Sequence, residues 1–342
     1  MAFGHIPISL ALQGGGSHGA FTWGVLERLL EEEGLRIDAI SGASAGAMNA
    51  VLLAHGLTTG GRVGAVASLR AFWEGIAGAQ ALAVAQEAAA TDDDGALGAA
   101  APGLRAMLFL TRFFSPYQLN PFGLNPLRDR LTELVDFERL RRECRVELFL
   151  AATRVASGAL RVFNTREISL DSVMASACLP TLHHSVEIDG EAYWDGGLAA
   201  NPPLLPLLGA GRAPDIVLVL LQPGPRVGVP TSAEEISQRL AQIGFGAAFQ
   251  AEVRCLERLM AEAQRSWLGL DPLTRRLRRL RVHQIDDPAF MGRLDVMSQA
   301  NTQAALIAAL HAAGRARAGQ WLDEHRQALG RHTTAQLARL LQ

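Results

Sequence analysis

Three short stretches concentrate the residue types from which acyl-transfer chemistry is built. Ser41-Gly42-Ala43-Ser44-Ala45-Gly46 holds a G-x-S-x-G with Ser44 at its centre. A short apolar run, Arg36 to Ile40, precedes it, and the strongly helix-forming Ala47 to Ala54 follows. The motif therefore sits on a strand-to-helix turn, the setting of a nucleophile elbow. So sharp a turn demands small neighbours, and Ser44 has only Gly and Ala around it. Its hydroxyl then projects at a helix N-terminus, where N–H groups and the helix dipole favour developing negative charge. Taken alone, the pattern also describes a small-residue turn in a chain with 34 glycines. The second stretch is Gly14-Gly15-Gly16-Ser17-His18-Gly19. Consecutive glycines let the N–H groups of Gly14, Gly15 and Gly16 converge with no Cβ in the way, and Ala45 adds a further donor, as an oxyanion hole requires. A phosphate loop is the competing reading, but there is no G-x-x-x-x-G-K-[ST] and no Lys anywhere. The third is Asp195-Gly196-Gly197, a carboxylate in what is otherwise a common turn sequence.

The elements that must position these residues follow from periodicity. Ile8 to Gln13 reads as a buried strand ending in the glycines. A helix follows through Phe21, Val25, Leu26, Leu29 and Leu30, with Gly34 as its C-cap, and a second strand delivers the elbow. A strand–helix–strand unit of this length implies a right-handed parallel crossover, which sets the glycine loop and Ser44 side by side on one sheet edge. Glu147 to Thr153 and Asp215 to Leu221 are further core strands, and Leu170 to Cys178 is a helix. Val186 to Ile188 and Ala192 to Trp194 flank Asp189-Gly190 as a tight hairpin whose exit carries Asp195. Beyond Pro225 the chain becomes helical, with Val282 to Ile285 as an edge strand and two closing helices from Ser298 to Leu341.

Together the three motifs, with Ala175-Ser176-Ala177-Cys178-Leu179-Pro180 and Asn201-Pro202-Pro203, make residues 6–222 resemble the patatin-like phospholipase family in order and spacing. The resemblance implies an α/β protein with a three-layer α/β/α fold, a mainly parallel central sheet and lipid acyl-ester hydrolysis by a Ser–Asp dyad. It assigns Ser44 as nucleophile and Asp195 as base. On this reading residues 1–342 form a single domain with its catalytic core at 6–222, a cap or lid insertion at 79–122 and a helical C-terminal extension at 231–342. The family usually carries Arg or Lys in the glycine loop where this chain has His18.

Composition narrows the alternatives. With 342 residues, 49% hydrophobic and 19% charged, the chain can bury a large core. A net charge of −2 gives no electrostatic case for nucleic acid. All 32 basic residues are Arg, so the five arginines between Arg275 and Arg281 read first as a solvated helix face, with binding of anionic lipid headgroups as the alternative. Cys144, Cys178 and Cys255 have no metal-type spacing, which fits a reducing compartment; neither metal nor cofactor is expected. No signal-peptide pattern and no run of about 20 apolar residues is present, so a cytoplasmic enzyme is expected.

A base beside apolar walls, with Trp194 and Leu198 as neighbours limiting water, has its pKa raised toward neutrality. A His-containing triad is the alternative, and His283 is its candidate, but many strands precede the elbow in an α/β-hydrolase and only one does here. A non-catalytic lipid-binding protein is the reading from outside enzymology. Leu104 to Phe114 packs large apolar residues, among them Phe109, Phe113 and Phe114, before the breaker Ser115-Pro116. It reads equally as a buried core helix or as a lid that binds substrate and touches a membrane surface.

Overall fold

The structure, a computed structural model, describes residues 5–84, 102–209, 213–224, 228–265, 271–294 and 296–337. The strands are β1 (Ile6–Leu12), β2 (Leu35–Gly42), β3 (Glu147–Arg154), β4 (Leu160–Asn164), β5 (Val186–Ile188), β6 (Glu191–Asp195), β7 (Asp215–Val219) and β8 (Arg281–Ile285). The helices are α1 (Gly19–Leu30), α2 (Ala45–Val84, broken at Gly60-Gly61), α3 (Pro102–Leu110), α4 (Pro116–Leu119), α5 (Pro126–Leu134) and α6 (Phe137–Glu143). They continue with α7 (Leu170–Ser176), α8 (Leu205–Gly209), α9 (Ala233–Arg265), α10 (Pro272–Arg279), α11 (Pro288–Met291) and α12 (Ala304–His325). Of the expected cap, residues 85–101 lie outside the described residues.

Pairing runs β5-β6-β3-β2-β1-β7-β8, with β4 also on β3. The pairs among β3, β2, β1, β7 and β8 are parallel, while β4, β5 and β6 join antiparallel. A parallel sheet covered on both faces needs near-continuous apolar strands, and β1 and β7 supply them. Alternation then divides the core. Leu10, Leu12, Ile40, Val217 and Val219 pack with Phe21 and Leu26 of α1, Val51 and Leu52 of α2, and Leu306 and Leu310 of α12. Ala11, Ala39, Ile216 and Leu218 pack on the other side with Leu207 of α8, Phe249 and Val253 of α9, and Leu277 of α10. The result is a three-layer α/β/α sandwich.

The C-terminal region is knitted into these layers. β8 is the edge strand beside β7, as its sequence suggests. The second closing helix is not formed among the described residues. A short 3-10 turn (Arg326–Ala328) ends in a strap instead, in which Thr334 and Ala335 donate to Val282 O and Gly330 N donates to Asp215 Oδ1. Satisfying those buried groups takes precedence over continuing the helix. Two of the five clustered arginines also bind backbone: Arg276 donates to Leu207 O and Arg278 to Ala263 O.

Helices α1 and α12 cross with backbones almost touching. A Cβ on Gly314 would lie 2.0 Å from Phe21 O, and one on Gly24 2.1 Å from His311 O. Helix propensity favours Gly314→Ala by about 1 kcal/mol, whereas overpacking costs about 1–3 kcal/mol. The clash wins, because a backbone carbonyl has nowhere to go. Urea denaturation of Gly314→Ala is expected to show a net loss of up to about 2 kcal/mol; a gain in stability would mean that the helices part without cost.

Candidate active site

Ser44 occupies the turn between β2 and α2 with φ of +55°, a left-handed conformation that costs a non-glycine residue energy. Close approach explains the small residues around it. A Cβ on Gly46 would meet Leu12 O at 2.2 Å. The Ser44 N–H is held from a third element, donating to both O and Oγ of Ser176 at the end of α7, each at 3.1 Å.

Asp195 reaches the same place along a shared strand edge. On β3, Phe149 and Leu150 pair with β2 on one side and β4 on the other, whereas Ala152 and Thr153 pair with β4 and β6. Strands β2 and β6 therefore follow one another on one edge of β3 and run toward each other. Their C-terminal ends meet at Gly42 and Asp195. The meeting is pinned by Asp195 N–H donating to Cys178 O at 2.8 Å and Thr153 Oγ1 donating to Asp195 O at 2.8 Å. The Asp195 carboxyl is fully buried. Oδ1 accepts from Gly197 N–H at 2.7 Å. Oδ2 lacks a well-formed hydrogen bond, and the side chain interacting with the carboxyl is the Ser44 hydroxyl. Burial pushes the carboxyl pKa up to about 7, with the Gly197 N–H and the Ser44 hydroxyl pulling the other way.

The glycine loop lies against this pair. Gly16 has φ of +58°, and Gly16–His18 forms a 3-10 turn into α1. The N–H groups of Gly15 and Gly16, and that of Ala45 as the first residue of α2, have no partner among the described residues. Gly14 differs from the sequence expectation. Its N–H donates to Asn201 Oδ1 at 2.7 Å, so it is not a free oxyanion donor. Asn201 stands out in the sequence only as part of the resemblance and Gln13 not at all, because their role is a long-range bridge. Gln13 Nε2 donates to Asn201 O, and Gln13 Oε1 accepts from Leu221 N–H, lashing the loop between β7 and the segment after Asp195.

One further expectation is corrected, and two alternatives that the sequence left open are decided. Strand alternation turns Trp194 to the face opposite Asp195. The aromatic near the aspartate turn is instead Phe245 of α9, whose ring a Cβ on Gly197 would meet at 2.7 Å. Helix α3 buries none of its residues, so the run is no core helix: Phe109 on α3 and Phe113 and Phe114 just beyond it are exposed, Phe113 by 67%. His283 sits in β8 with Nε2 on Asp215 Oδ1 at 2.9 Å and Nδ1 on Thr334 Oγ1 at 2.9 Å. Asp215 starts β7, at the end of the sheet opposite Ser44, so His283 completes no triad. A cavity of about 680 Å³, lined by Ile8, Leu35, Arg36, Arg145 and Glu147 among others, also opens at that far end.

The family model described as Patatin-like phospholipase matches residues 10–208, more than half of the chain. No match to the chain was found among curated proteins. Among solved structures, VipD from Legionella pneumophila aligns over 94% of this chain and 67% of its own, at 16% identity and a TM-score of 0.40. The heterodimeric ExoU-SpcU complex from the type III secretion system of Pseudomonas aeruginosa aligns over 98% and 74%, at 19% identity and a TM-score of 0.29.

A buried aspartate of this kind has a signature in stability. Its folded pKa of about 7 lies above the ordinary value of 3.8. Between those values the unfolded chain has released the proton and the folded one has kept it, so this group's contribution to stability falls as pH rises, then levels off. At about 1.4 kcal/mol per pH unit the loss amounts to roughly 4 kcal/mol. Asp195→Asn, neutral and of the same shape, escapes it. Its melting temperature is expected to match the native protein's near pH 4 and exceed it at pH 8; equal melting temperatures at pH 8 would contradict the raised pKa.

Proposed function

The chain belongs to the patatin-like phospholipase family, and we propose that it is a serine acyl hydrolase of lipid esters that works through a Ser44–Asp195 dyad. The observation that carries this reading is the meeting of a strained serine and a fully buried, pKa-raised carboxyl at converging strand ends. A base is most useful when its pKa lies near the working pH, because it is then both ionised and basic enough to take a hydroxyl proton. Asp195 fits that requirement with no histidine between it and Ser44.

In the first step Ser44 Oγ attacks the ester carbonyl carbon while its proton passes to Asp195. The carbonyl π electrons move onto oxygen, and the N–H groups of Gly15, Gly16 and Ala45 receive the oxyanion. Collapse expels the alcohol, which takes the proton from Asp195 and leaves an acyl-serine. Water then attacks the acyl carbon, giving its proton to Asp195. The second collapse releases the carboxylic acid and returns the proton to Ser44 Oγ. No metal or cofactor enters these steps.

For the substrate, the apolar surface of α3 and α4 favours an aggregated lipid. Among the described residues no helix is long and apolar enough to cross a membrane. Phe109, Phe113, Phe114, Phe122 and Leu124 nonetheless stand exposed within sixteen positions, an arrangement suited to lying on a lipid surface. This surface is anchored toward the site. Tyr117 stacks on His184 with ring centroids 4.1 Å apart, and Cys178, whose O accepts from Asp195 N–H, donates its Sγ–H to His184 O.

A fluorophosphonate probe is expected to label Ser44 in the native protein and nothing in Ser44→Ala, which should lose ester hydrolysis while keeping its fold. Asp195→Asn should lose on the order of 10²–10⁴-fold in kcat, the contribution of a positioned base. Activity retained in either variant would remove that residue from the dyad. Replacing Phe113 and Phe114 by Ser should reduce turnover of phospholipid vesicles at least several-fold more than that of a soluble p-nitrophenyl ester; equal losses would take this surface out of substrate contact.

A further inference from the structure

We propose that Ser298, brought in by the C-terminal third of the chain, is the positioning residue of the oxyanion loop. The inference rests on the dyad reading above. Ser298 is fully buried in a 3-10 turn (Val296–Ala300) that lies on the glycine loop. Its backbone O accepts from Ser17 Oγ at 2.6 Å, and its Oγ lies 2.7 Å from His18 Nε2. The next residue completes the contact from below: a Cβ on Gly16 would fall 2.2 Å from Gln299 O. Ser17 and His18 are thus both hydrogen-bonded by Ser298, and Gly16 packs against the backbone of Gln299, two successive residues about 280 positions away.

The chemistry of His18 says what the contact is for. Its ring is buried, and burial lowers its pKa to about 4, so it is neutral wherever Asp195 can act as a base. A neutral imidazole has one N–H. Nδ1 is buried without a partner, so the proton is best placed on Nε2, where it donates to Ser298 Oγ. His18 therefore offers the oxyanion no charge. What remains is orientation: the imidazole and the Ser17 hydroxyl hold the 3-10 turn in the one conformation that keeps the Gly15 and Gly16 N–H groups aimed beside Ser44. Positioning of this kind acts on the transition state more than on the bound ester, since misplacement by about 1 Å costs on the order of 10²-fold.

The test compares Ser298→Ala, Ser298→Thr, His18→Ala and the Ser298→Ala/His18→Ala double variant on a soluble p-nitrophenyl ester. Inhibition by a trifluoromethyl ketone, whose hemiketal oxygen occupies the oxyanion site, gives a second readout. Ser298→Ala should lower kcat about 10-fold or more with KM within about 2-fold, and weaken ketone inhibition by the same factor as kcat/KM. Ser298→Thr, which keeps the hydroxyl, should restore both, and the double variant should be no worse than His18→Ala alone. If Ser298→Ala does not fold, Ser17→Ala, which cuts the other bond to the same residue, should show the same split between kcat and KM. Native kcat and native ketone affinity in Ser298→Ala, or losses that track melting temperature alone, overturn the positioning role while Ser44→Ala remains inactive. Hydrolysis surviving in Ser44→Ala would instead overturn the dyad on which the proposal rests.

Discussion

One edge of β3 is shared by two strands that run in opposite senses, and the site depends on where they stop. β2 holds that edge opposite Glu147–Leu150 and β6 opposite Ala152–Arg154. Neither strand can extend further without colliding with the other. The chain must leave the sheet at both ends within a few ångströms, and it does so at Ser44 and at Asp195. The strand end at β6 carries a carboxyl into a place with no solvent, supported by the Gly197 N–H. The strand end at β2 carries a hydroxyl on a strained turn. Parallel strands alone would bring together only the glycine loop and the elbow; the antiparallel β6 brings in the third participant.

The same arrangement sets the electrostatics. A fully buried carboxyl with one backbone donor stays protonated well above the ordinary carboxylate range. That costs stability at neutral pH and, on the proposed mechanism, gives a base matched to a hydroxyl proton. Structural polar groups elsewhere are treated in the opposite way. Asp215 is as buried as Asp195, yet it accepts from His283, Gly330 and Arg281. Full pairing suits a structural carboxyl, and the incomplete pairing of Asp195 is what the proposed dyad requires.

Much of this was legible in the sequence where the signal is local. The elbow, the glycine run and the hairpin before Asp195 each depend on residues within a few positions, and Asp189 and Gly190 adopt the positive φ values that a tight two-residue turn needs. The periodicity of β1, α1 and β2 places loop and elbow correctly because the crossover has one hand. What was not legible lies in contacts between distant segments. Nothing near Gly14 announces that Asn201 takes its N–H, and nothing near His18 announces Ser298. Trp194 misled because adjacency in sequence is opposition in a strand. The exposure of Phe113 and Phe114 was undecidable for a related reason: an apolar run specifies burial without naming what buries it.

The central claim is that Asp195, and no histidine, is the base for Ser44. The pH dependence of kcat/KM, which reports ionisations of the free enzyme, tests it most directly when measured in parallel for the native protein, His283→Gln and Asp195→Asn. The account predicts a single limb rising with pH through an apparent pKa of about 7. That limb should be unmoved in His283→Gln and absent from the residual rate of Asp195→Asn. A limb that persists in Asp195→Asn, or one that shifts when His283 is replaced, would contradict it.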